Sequence, residues 1–401
     1  GGPHKTAIAT PGTLTNGSVQ TAMNTIMAEV GTNLNGAATT VQGERPNLWL
    51  YEAGPGNYQA IKAMRAGVRS VVANEQFSTI RGLLEGDFNN YPSNVIDACW
   101  KNLSFTCHGW EWGSVDEFKA RYQTALAECQ KSLTTTLQAL AGQVKTQTGK
   151  GTPLVVFNPL SWARERDVVT CRIPKGFKPG EFILYASNKG KLSSIDYQAT
   201  GDNKMVFVAS DVPALGYKTF YLKEGIYSPS PGTHRIGATW TAKADFTHYS
   251  MTPSTNGVGI KSIVDKELGE ILNTSSDITL GADLLLLDAD GLMGAGPDKY
   301  YSHNTVRTIT NRLTKAAYKA GWTCKEAGPI RVVYETDDIQ TSDYTYRLKV
   351  TVYQAPGIKR IDLEPSIIDW TGAIYSEVRF TLPLKRPTPK AGDVAYAVPY
   401  A

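Results

Sequence analysis

The pattern of apolar residues changes near residue 150, and this change restricts the chain to a fold with a helical part and a β part. Before that point, apolar side chains recur every three or four residues, which is the period of one helix face. After the Gly-Lys-Gly sequence at 149–151, short segments alternate between apolar and polar residues or are rich in β-branched residues, as strands are. Runs of strands without helical patterns between them indicate antiparallel sheets rather than a parallel barrel.

Four apolar stripes predict helices in the first part of the chain. Three of them cover residues 19–30, 61–72 and 95–103. The Ser-Val-Asp-Glu sequence at 114–117 is a capping box, and the stripe that follows it continues to Leu140. A stripe of that length needs neighbouring helices to bury it, so a helical bundle is expected.

Segments with strand patterns follow one another through the rest of the chain. They cover residues 154–157, 167–173, 181–186, 204–208, 217–222, 258–264, 305–310, 330–335, 344–353, 358–368 and 378–383. Between the fifth and sixth of these, the sequence IYSPSPGT at 226–233 predicts a linker between two β units.

Charge and hydropathy argue against nucleic-acid and membrane partners. The chain has 41 Lys and Arg against 37 Asp and Glu, a net charge of +4, and no run of five basic residues. The longest apolar run, 284–287, is bounded by aspartates and is far shorter than the ~20 residues that span a bilayer. The first residues, GGPH, lack the charged and apolar regions of a signal peptide, so a signal peptide is expected to be absent or already removed.

Cysteine and aromatic content leave the compartment and the ligand class open. The five cysteines are odd in number and lack Cys-x-x-Cys spacing, so neither a disulfide scaffold nor a thiolate zinc site is indicated. The cellular compartment stays open, with a secreted or periplasmic location favoured over a cytoplasmic one. The 20 Tyr and 8 Trp suit both β-sheets and the stacking of sugar rings, with sheet propensity the simpler explanation.

A series of short stretches in the β part resembles glycoside hydrolase family 38, the α-mannosidase family. They are TPLVVFNPLSW at 152–162, VPALGYK at 212–218, GIKSIVDKELG at 259–269, GPIR at 328–331, KRID at 359–362 and DW at 369–370. Each stretch is short, and their order along the chain carries the resemblance. It implies a multidomain α+β fold, with a helical bundle of the three-helix type followed by antiparallel β-sandwich domains.

The resemblance also implies domain boundaries. Residues 1–45 correspond to the end of a barrel or a linker, 46–148 to the helical bundle and 152–225 to a small β-sandwich. Residues 234–401 correspond to a large supersandwich of the kind found in sugar mutarotases, incomplete at its C-terminus.

The helical part carries three further stretches of the resemblance. LWLYE at 48–52 and GPGNY at 54–58 resemble the junction between the family's catalytic barrel and its helical domain. CHGWEWGS at 107–114 lies where the family has a zinc-binding histidine, which corresponds to His108. The family's aspartate after that histidine is Gly109 here, as in a divergent bacterial branch.

These stretches supply the candidate site residues. His108 is the candidate zinc ligand, and its alternative is an ordinary surface or core histidine. The candidate substrate-binding residues, whose alternative is structural packing, are Tyr51, Glu52, Tyr58, Trp110, Glu111 and Trp112.

The resemblance implies retaining, zinc-dependent hydrolysis of α-mannosides or related glycans. In such enzymes two carboxyl groups ~5–5.5 Å apart act as nucleophile and acid, and zinc binds sugar hydroxyls. The family places the nucleophile and a zinc-binding His-x-Asp pair in an N-terminal barrel, and no His-x-Asp occurs in this chain.

We therefore expect no catalytic residue in this chain, which alone is inactive and supplies part of the active-site wall and the β scaffold. Its expected partners are a carbohydrate substrate and the missing barrel. The alternative function is a non-catalytic carbohydrate-binding or scaffold module.

Overall fold

The computed structural model describes part of the chain. The described residues are 58–104, 115–147, 149–229, 232–255, 257–275, 279–288, 305–312, 318–341, 344–369 and 376–385. All of them except Asp288 and Thr305 belong to one compact unit, residues 50–287 and 306–401. The helix predicted at 19–30 lies outside the described residues.

The described residues form three helices, which confirm three of the predicted stripes. Helix α1 is Tyr58–Glu85, α2 is Ser93–Leu103 and α3 is Val115–Gln143. Their shared core combines small side chains such as Ala63, Cys99 and Ala125 with the aromatic rings of Phe118 and Tyr122. No helix in this part of the chain is long and apolar enough to cross a membrane.

The strands follow the helices in the order that the sequence pattern predicts. They are β1 Thr152–Phe157, β2 Arg164–Arg172, β3 Phe182–Asn188, β4 Lys191–Ile195, β5 Tyr197–Thr200, β6 Lys204–Val212, β7 Tyr217–Glu224, β8 Ala244–Asp245, β9 Tyr249–Pro253, β10 Ile260–Asp265, β11 Gly269–Glu270, β12 Gly281–Asp288, β13 Thr305–Arg312, β14 Trp322–Ala327, β15 Arg331–Thr336, β16 Ile339–Gln340, β17 Thr345–Tyr353, β18 Ile361–Ile368 and β19 Ser376–Thr381.

The first seven strands form two sheets that share one core. One sheet has the order β1-β7-β3-β4 and the other the order β2-β6-β5, with antiparallel pairing in both. Side chains at alternate positions of both sheets point inward, for example Phe182 and Leu184 from β3 and Met205 and Phe207 from β6. The alternation fits a two-residue side-chain period, which puts one face of each sheet in the core.

The later strands form three sheets. The orders are β11-β10-β9-β8, β13-β12-β19 and β14-β15-β17-β16, with β18 also pairing with β17. The pairs β9–β10, β12–β19 and β15–β17 are antiparallel. Side chains of the first and third of these sheets share a second, larger core. The core is rich in aromatic side chains, including Trp240, Phe246, Trp322, Tyr334 and Tyr346.

The architecture confirms a mixed α+β fold in which β structure dominates and the sheets are antiparallel. Eight strands were not predicted: β4, β5, β8, β9, β11, β12, β14 and β16. Among them β9, β12 and β14 have apolar or alternating sequences that were missed, whereas others have weak local signals. Strand β4 is mostly exposed and polar, so its alternation is faint, and β8, β11 and β16 have only two residues.

Candidate functional site

The predicted site residues fall almost entirely outside the described residues. Tyr58 is the first residue of α1. The other candidates, including the proposed zinc ligand, are outside the described part of the chain: Tyr51, Glu52, His108, Trp110, Glu111 and Trp112. Their predicted functions therefore stay predictions.

The stretch at 152–162 and the stretch at 212–218 meet at one buried side chain, Asn158. Its amide nitrogen donates to the carbonyl oxygens of Trp162 at 2.8 Å and Pro213 at 3.0 Å. Its amide oxygen accepts from the backbone N–H of Leu160 at 3.1 Å. Only 3% of Asn158 is exposed, so these bonds satisfy polar groups that water does not reach. Asn158 therefore joins the segment that follows β1 to the turn before β7.

The stretch at 328–331 meets the first two-sheet unit at Gln198 of β5. The side-chain oxygen of Gln198 accepts from the backbone N–H of Ile330 at 3.3 Å and of Arg331 at 3.0 Å. Gly328 packs so closely on Gln198 that a Cβ atom there would lie 2.5 Å from the Gln198 side chain. Apolar contact between Ile330, Ala355 and Val206 of β6 surrounds this bond. These two hydrogen bonds therefore connect the two β parts next to a small apolar cluster.

The stretches at 259–269 and 359–362 are joined through a tight turn. Asp265 accepts hydrogen bonds from the backbone N–H of Glu267 at 2.7 Å and of Leu268 at 3.1 Å, and these bonds lower the pKa of its carboxyl. Gly269 follows with φ +84°, a conformation that favours glycine. The Glu267 carboxylate forms an ion pair with Lys359. The turn explains Asp265 and Gly269, and the ion pair explains Glu267 and Lys359.

The stretch at 359–362 also contains a pair of charged side chains that bind each other through two bonds. Arg360 donates to Asp362 with its Nε at 2.6 Å and its Nη2 at 2.8 Å. The hydroxyl of Tyr353 donates to the same carboxylate at 3.0 Å, and the Arg360 guanidinium lies 5.1 Å from the centre of the Tyr353 ring. These contacts engage both oxygens of the carboxylate in structural hydrogen bonds.

The stretches just described therefore form contacts between strands or sheets, which we call joints. None of the contacts just described brings together a nucleophile and a base, or two unpaired carboxylates. Among the described residues, no group of three His, Cys, Asp or Glu side chains is placed to hold a metal ion. The described part thus supplies no zinc ligand set of its own.

A groove of about 600 Å³ lies between the two β parts in the described part of the chain. One wall comes from β2, β3, β4 and β6, and the other from Pro329 and Pro356 of the second β part. Arg166 crosses over Gly357, where a Cβ atom would overlap its guanidinium and φ is +77°. Ile330 lines the groove and also donates its backbone N–H to Gln198, so the groove lies beside the contact at Gln198.

The polar groups of the groove are held in place by aromatic packing. The hydroxyl of Tyr227 donates to the Asp196 carboxylate at 3.0 Å and accepts from the backbone N–H of Tyr197 at 3.2 Å. The rings of Tyr227 and Tyr197 stack with their centres 4.3 Å apart. Burial raises the pKa of Tyr227, so its hydroxyl stays protonated as a donor. Tyr227 lies in the segment predicted as a linker, and this residue packs against the first two-sheet unit.

The chemistry of the groove suits a neutral, hydroxyl-rich ligand. Arg166 contributes the positive charge and Asp196 the negative charge, and Ser194 and Ser210 add hydroxyls. Balanced charges do not favour a phosphate, whereas hydroxyl groups can donate to a carboxylate and accept from a guanidinium. Tyr185 adds an aromatic ring to the wall, a surface on which the C–H face of a sugar can pack.

His234 is engaged in structural contacts. Its Nε2 lies 3.0 Å from the carbonyl oxygen of Asp245, which can only accept, so Nε2 carries the hydrogen. Its Nδ1 then accepts from the hydroxyl of Tyr334 at 2.9 Å, and its ring stacks on Phe246 at 4.5 Å. Burial lowers the pKa of His234, so the neutral ring is the stable form.

Comparisons with protein-family models, with curated protein sequences and with solved structures found no match to this chain. The interpretation of the groove therefore rests on residue chemistry and geometry alone. Sequence reasoning missed the groove because its residues come from distant segments that only the sheet topology brings together. The one local signal was the aromatic Tyr227 in an otherwise linker-like segment.

Proposed function

We propose that this chain forms the helical and β scaffold of a zinc-dependent retaining glycoside hydrolase of the family 38 type. In this proposal the substrates are α-mannosides or related glycans. His108 contributes one zinc ligand, and the catalytic barrel supplies the nucleophile, the acid and the other zinc ligands. Trp110, Glu111 and Trp112 then form part of the wall around the sugar.

The observation that carries the proposal is the position of the resembling stretches. Four of them meet in pairs, at Asn158 and at the ion pair between Glu267 and Lys359, and a fifth, at 328–331, contacts Gln198 of β5. Short chance matches would be scattered over surface loops without regard to packing. Stretches that determine how strands join are instead the ones that a shared fold requires. The same proposal includes a helical bundle of the three-helix type and, as the larger of the β-sandwich domains, a mutarotase-like supersandwich.

Zinc content and hydrolysis of an aryl α-mannoside test this function. Both are measured on this chain and on the complete product of its gene. We expect the complete product to bind zinc and to release the aryl group, and this chain alone to do neither. The substitution His108→Ala should lower zinc content and activity together, because a zinc site cannot easily lose one ligand.

His248→Ala is the matched control. Its Nε2 lies 3.2 Å from the carbonyl oxygen of Ala355, within a structural contact, so its loss should leave zinc content unchanged. A complete product that contains no zinc and hydrolyses no α-mannoside would overturn the proposal. So would full zinc content in the His108→Ala variant.

The groove supports a second function, which is non-catalytic carbohydrate binding. The specific observation is the combination of Arg166, Asp196 and the Tyr185 ring around about 600 Å³. A neutral monosaccharide such as methyl α-mannoside is a suitable probe, titrated into the chain by calorimetry or by NMR.

Two substitutions separate binding in the groove from binding elsewhere. Asp196→Asn keeps an acceptor for Tyr227 but removes the charge, and we expect it to weaken sugar binding roughly tenfold, as for loss of a charged hydrogen bond. Asp202→Asn is the matched control, because the Asp202 side chain is 85% exposed and does not line the groove. Equal weakening by both variants, or no binding by the original chain, would rule the groove out.

A further inference from the structure

Two cysteine thiols meet in the core of the helical part. Cys99 lies on α2 and Cys129 on α3, and only 1% and 0% of these residues are exposed. Both belong to the apolar cluster that joins the three helices. They are far apart in the sequence, so the packing of α2 against α3 is what brings them together.

The Cys99 sulfur lies beside the helical turn that carries Cys129. Its thiol donates to the carbonyl oxygen of Ala125 at 3.4 Å. In an α-helix that carbonyl is also the acceptor for the backbone N–H of Cys129, four residues later, so the Cys99 sulfur lies next to the backbone of the second cysteine. A disulfide requires the sulfur atoms to approach from this contact to about 2 Å. The small side chain of Ala125 allows α2 and α3 to lie close together, which favours that approach.

Both thiols are shielded from water while the helices are packed. Burial raises the pKa of Cys99 to about 12, and the hydrogen bond to Cys129 and the charge of Glu128 act in the same direction. The thiolate is the nucleophile in disulfide exchange, so a protonated and water-excluded thiol reacts slowly. Reaction therefore requires α2 to separate from α3, or the chain to be still folding.

We propose that Cys99 and Cys129 are a cross-linking site, at which a disulfide ties α2 to α3 when the chain folds or opens in the presence of a small-molecule disulfide such as oxidised glutathione. One thiolate attacks the oxidant, forms a mixed disulfide and releases one glutathione thiolate. The second thiolate then displaces the other glutathione. The protein loses two electrons and two protons, and the oxidant becomes two molecules of reduced glutathione.

The cross-link has a consequence for the predicted sugar site. Residues 107–114, which include His108, lie in the sequence between the two cysteines. A disulfide between Cys99 and Cys129 ties together the two helices that flank this segment. It also reduces the freedom of the unfolded chain, so the cross-linked protein is the more stable form.

The test compares oxidation during folding with oxidation of the folded chain. The unsubstituted chain is unfolded and refolded with a mixture of reduced and oxidised glutathione, and a folded sample receives the same mixture. Non-reducing peptide mapping by mass spectrometry identifies the linked cysteines. We expect a Cys99–Cys129 peptide in the refolded sample, formation roughly tenfold slower in the folded sample, and a higher midpoint of thermal unfolding after cross-linking.

Control variants show whether the cross-link is specific. Cys171→Ala removes a half-buried thiol on β2, whose pKa burial raises to about 11, and should leave the cross-link unchanged. Cys129→Ala should abolish it.

Three results would overturn the proposal. They are a linkage through Cys107, glutathione that remains attached to Cys99 without a cross-link, and a lower midpoint of thermal unfolding in the cross-linked chain. The mapping uses the unsubstituted chain, so the conclusion does not depend on how the variants fold.

Discussion

The helical part and the β part of this molecule are stabilised in different ways. The helices pack through an apolar core that includes Phe118 and Tyr122, and a buried line of polar side chains runs beside it. There Asn74 donates to Ser132 at 3.0 Å, Ser78 donates to Asn74 at 3.1 Å, and Thr136 lies 3.2 Å from Ser78. The β cores bury more aromatic rings, among them Trp240, Trp322 and Phe182. The helix contact therefore combines apolar packing with buried hydrogen bonds, whereas the sheet cores depend mainly on apolar area.

The largest expected effect is in the larger β core. Trp322 is 2% exposed and its ring centre lies 5.4 Å from that of Trp240. The substitution Trp322→Ala should lower the free energy of unfolding by about 3–5 kcal/mol, because it leaves a large cavity. Trp162→Ala, at a residue that is 58% exposed, is the matched control and should cost far less. Equal losses measured by urea denaturation would contradict the proposed importance of the aromatic core.

A smaller effect is expected at the joint formed by Asn158. Asn158→Ala leaves the carbonyl oxygens of Trp162 and Pro213 and the N–H of Leu160 without this partner. Buried polar groups that lose their partners cost about 1–3 kcal/mol, so we expect a loss near the top of that range. Asn188→Ala, at an exposed position in β3, should change the free energy of unfolding little. A loss below that of a typical surface substitution would show that Asn158 is not a joint.

The polar line between α1 and α3 should give an effect of about 1 kcal/mol. The single hydrogen of the Ser78 hydroxyl is donated to Asn74, so Thr136 donates to Ser78. Thr136→Val keeps the shape and removes that donor, which is worth about 1 kcal/mol in a typical hydrogen bond. Thr135→Val on the exposed side of α3 is the control. Denaturation that shows a more stable Thr136→Val variant would mean that apolar packing dominates the helical part as well.

The smallest effect is a dependence of stability on pH through His234. Burial lowers its pKa below the ordinary value of 6.5, so the unfolded chain takes up the proton first as the pH falls. The stabilisation is complete above pH 6.5 and is lost as the pH falls through the folded-state pKa. We expect the original chain to lose more stability between pH 7.5 and 5.5 than the His234→Gln variant does, as measured by urea denaturation at both values. Identical pH profiles would refute this.

Much of the fold could be predicted from the sequence because its signals are local. Helix period predicted α1, α2 and α3, and strand patterns predicted most of the strands of six or more residues, though not β12 or β14. The contact between Cys99 and Cys129 could not be predicted, because it depends on how two helices rotate against each other. Likewise, the groove combines Arg166 with Asp196 and Pro356, and no local pattern connects such distant positions.

The joints could be predicted only in part. The resemblance to family 38 drew attention to these stretches, but it did not show which residues they contact. Asn158 follows a strand and precedes a proline, which predicts a turn. The sequence does not reveal that its amide reaches the turn before β7. The candidate zinc and sugar residues lie outside the described residues and remain a prediction.

The central claim is that the resembling stretches join the parts of this fold, and hydrogen exchange in a Gln198→Leu variant tests it most directly. Leucine fills similar space but offers no acceptor to the backbone N–H groups of Ile330 and Arg331. We expect faster exchange in peptides covering 328–331 and in neighbouring β5 and β6. Exchange near Tyr334, where β15 pairs with β17, should stay unchanged. Exchange that stays the same in all of these peptides would contradict the claim.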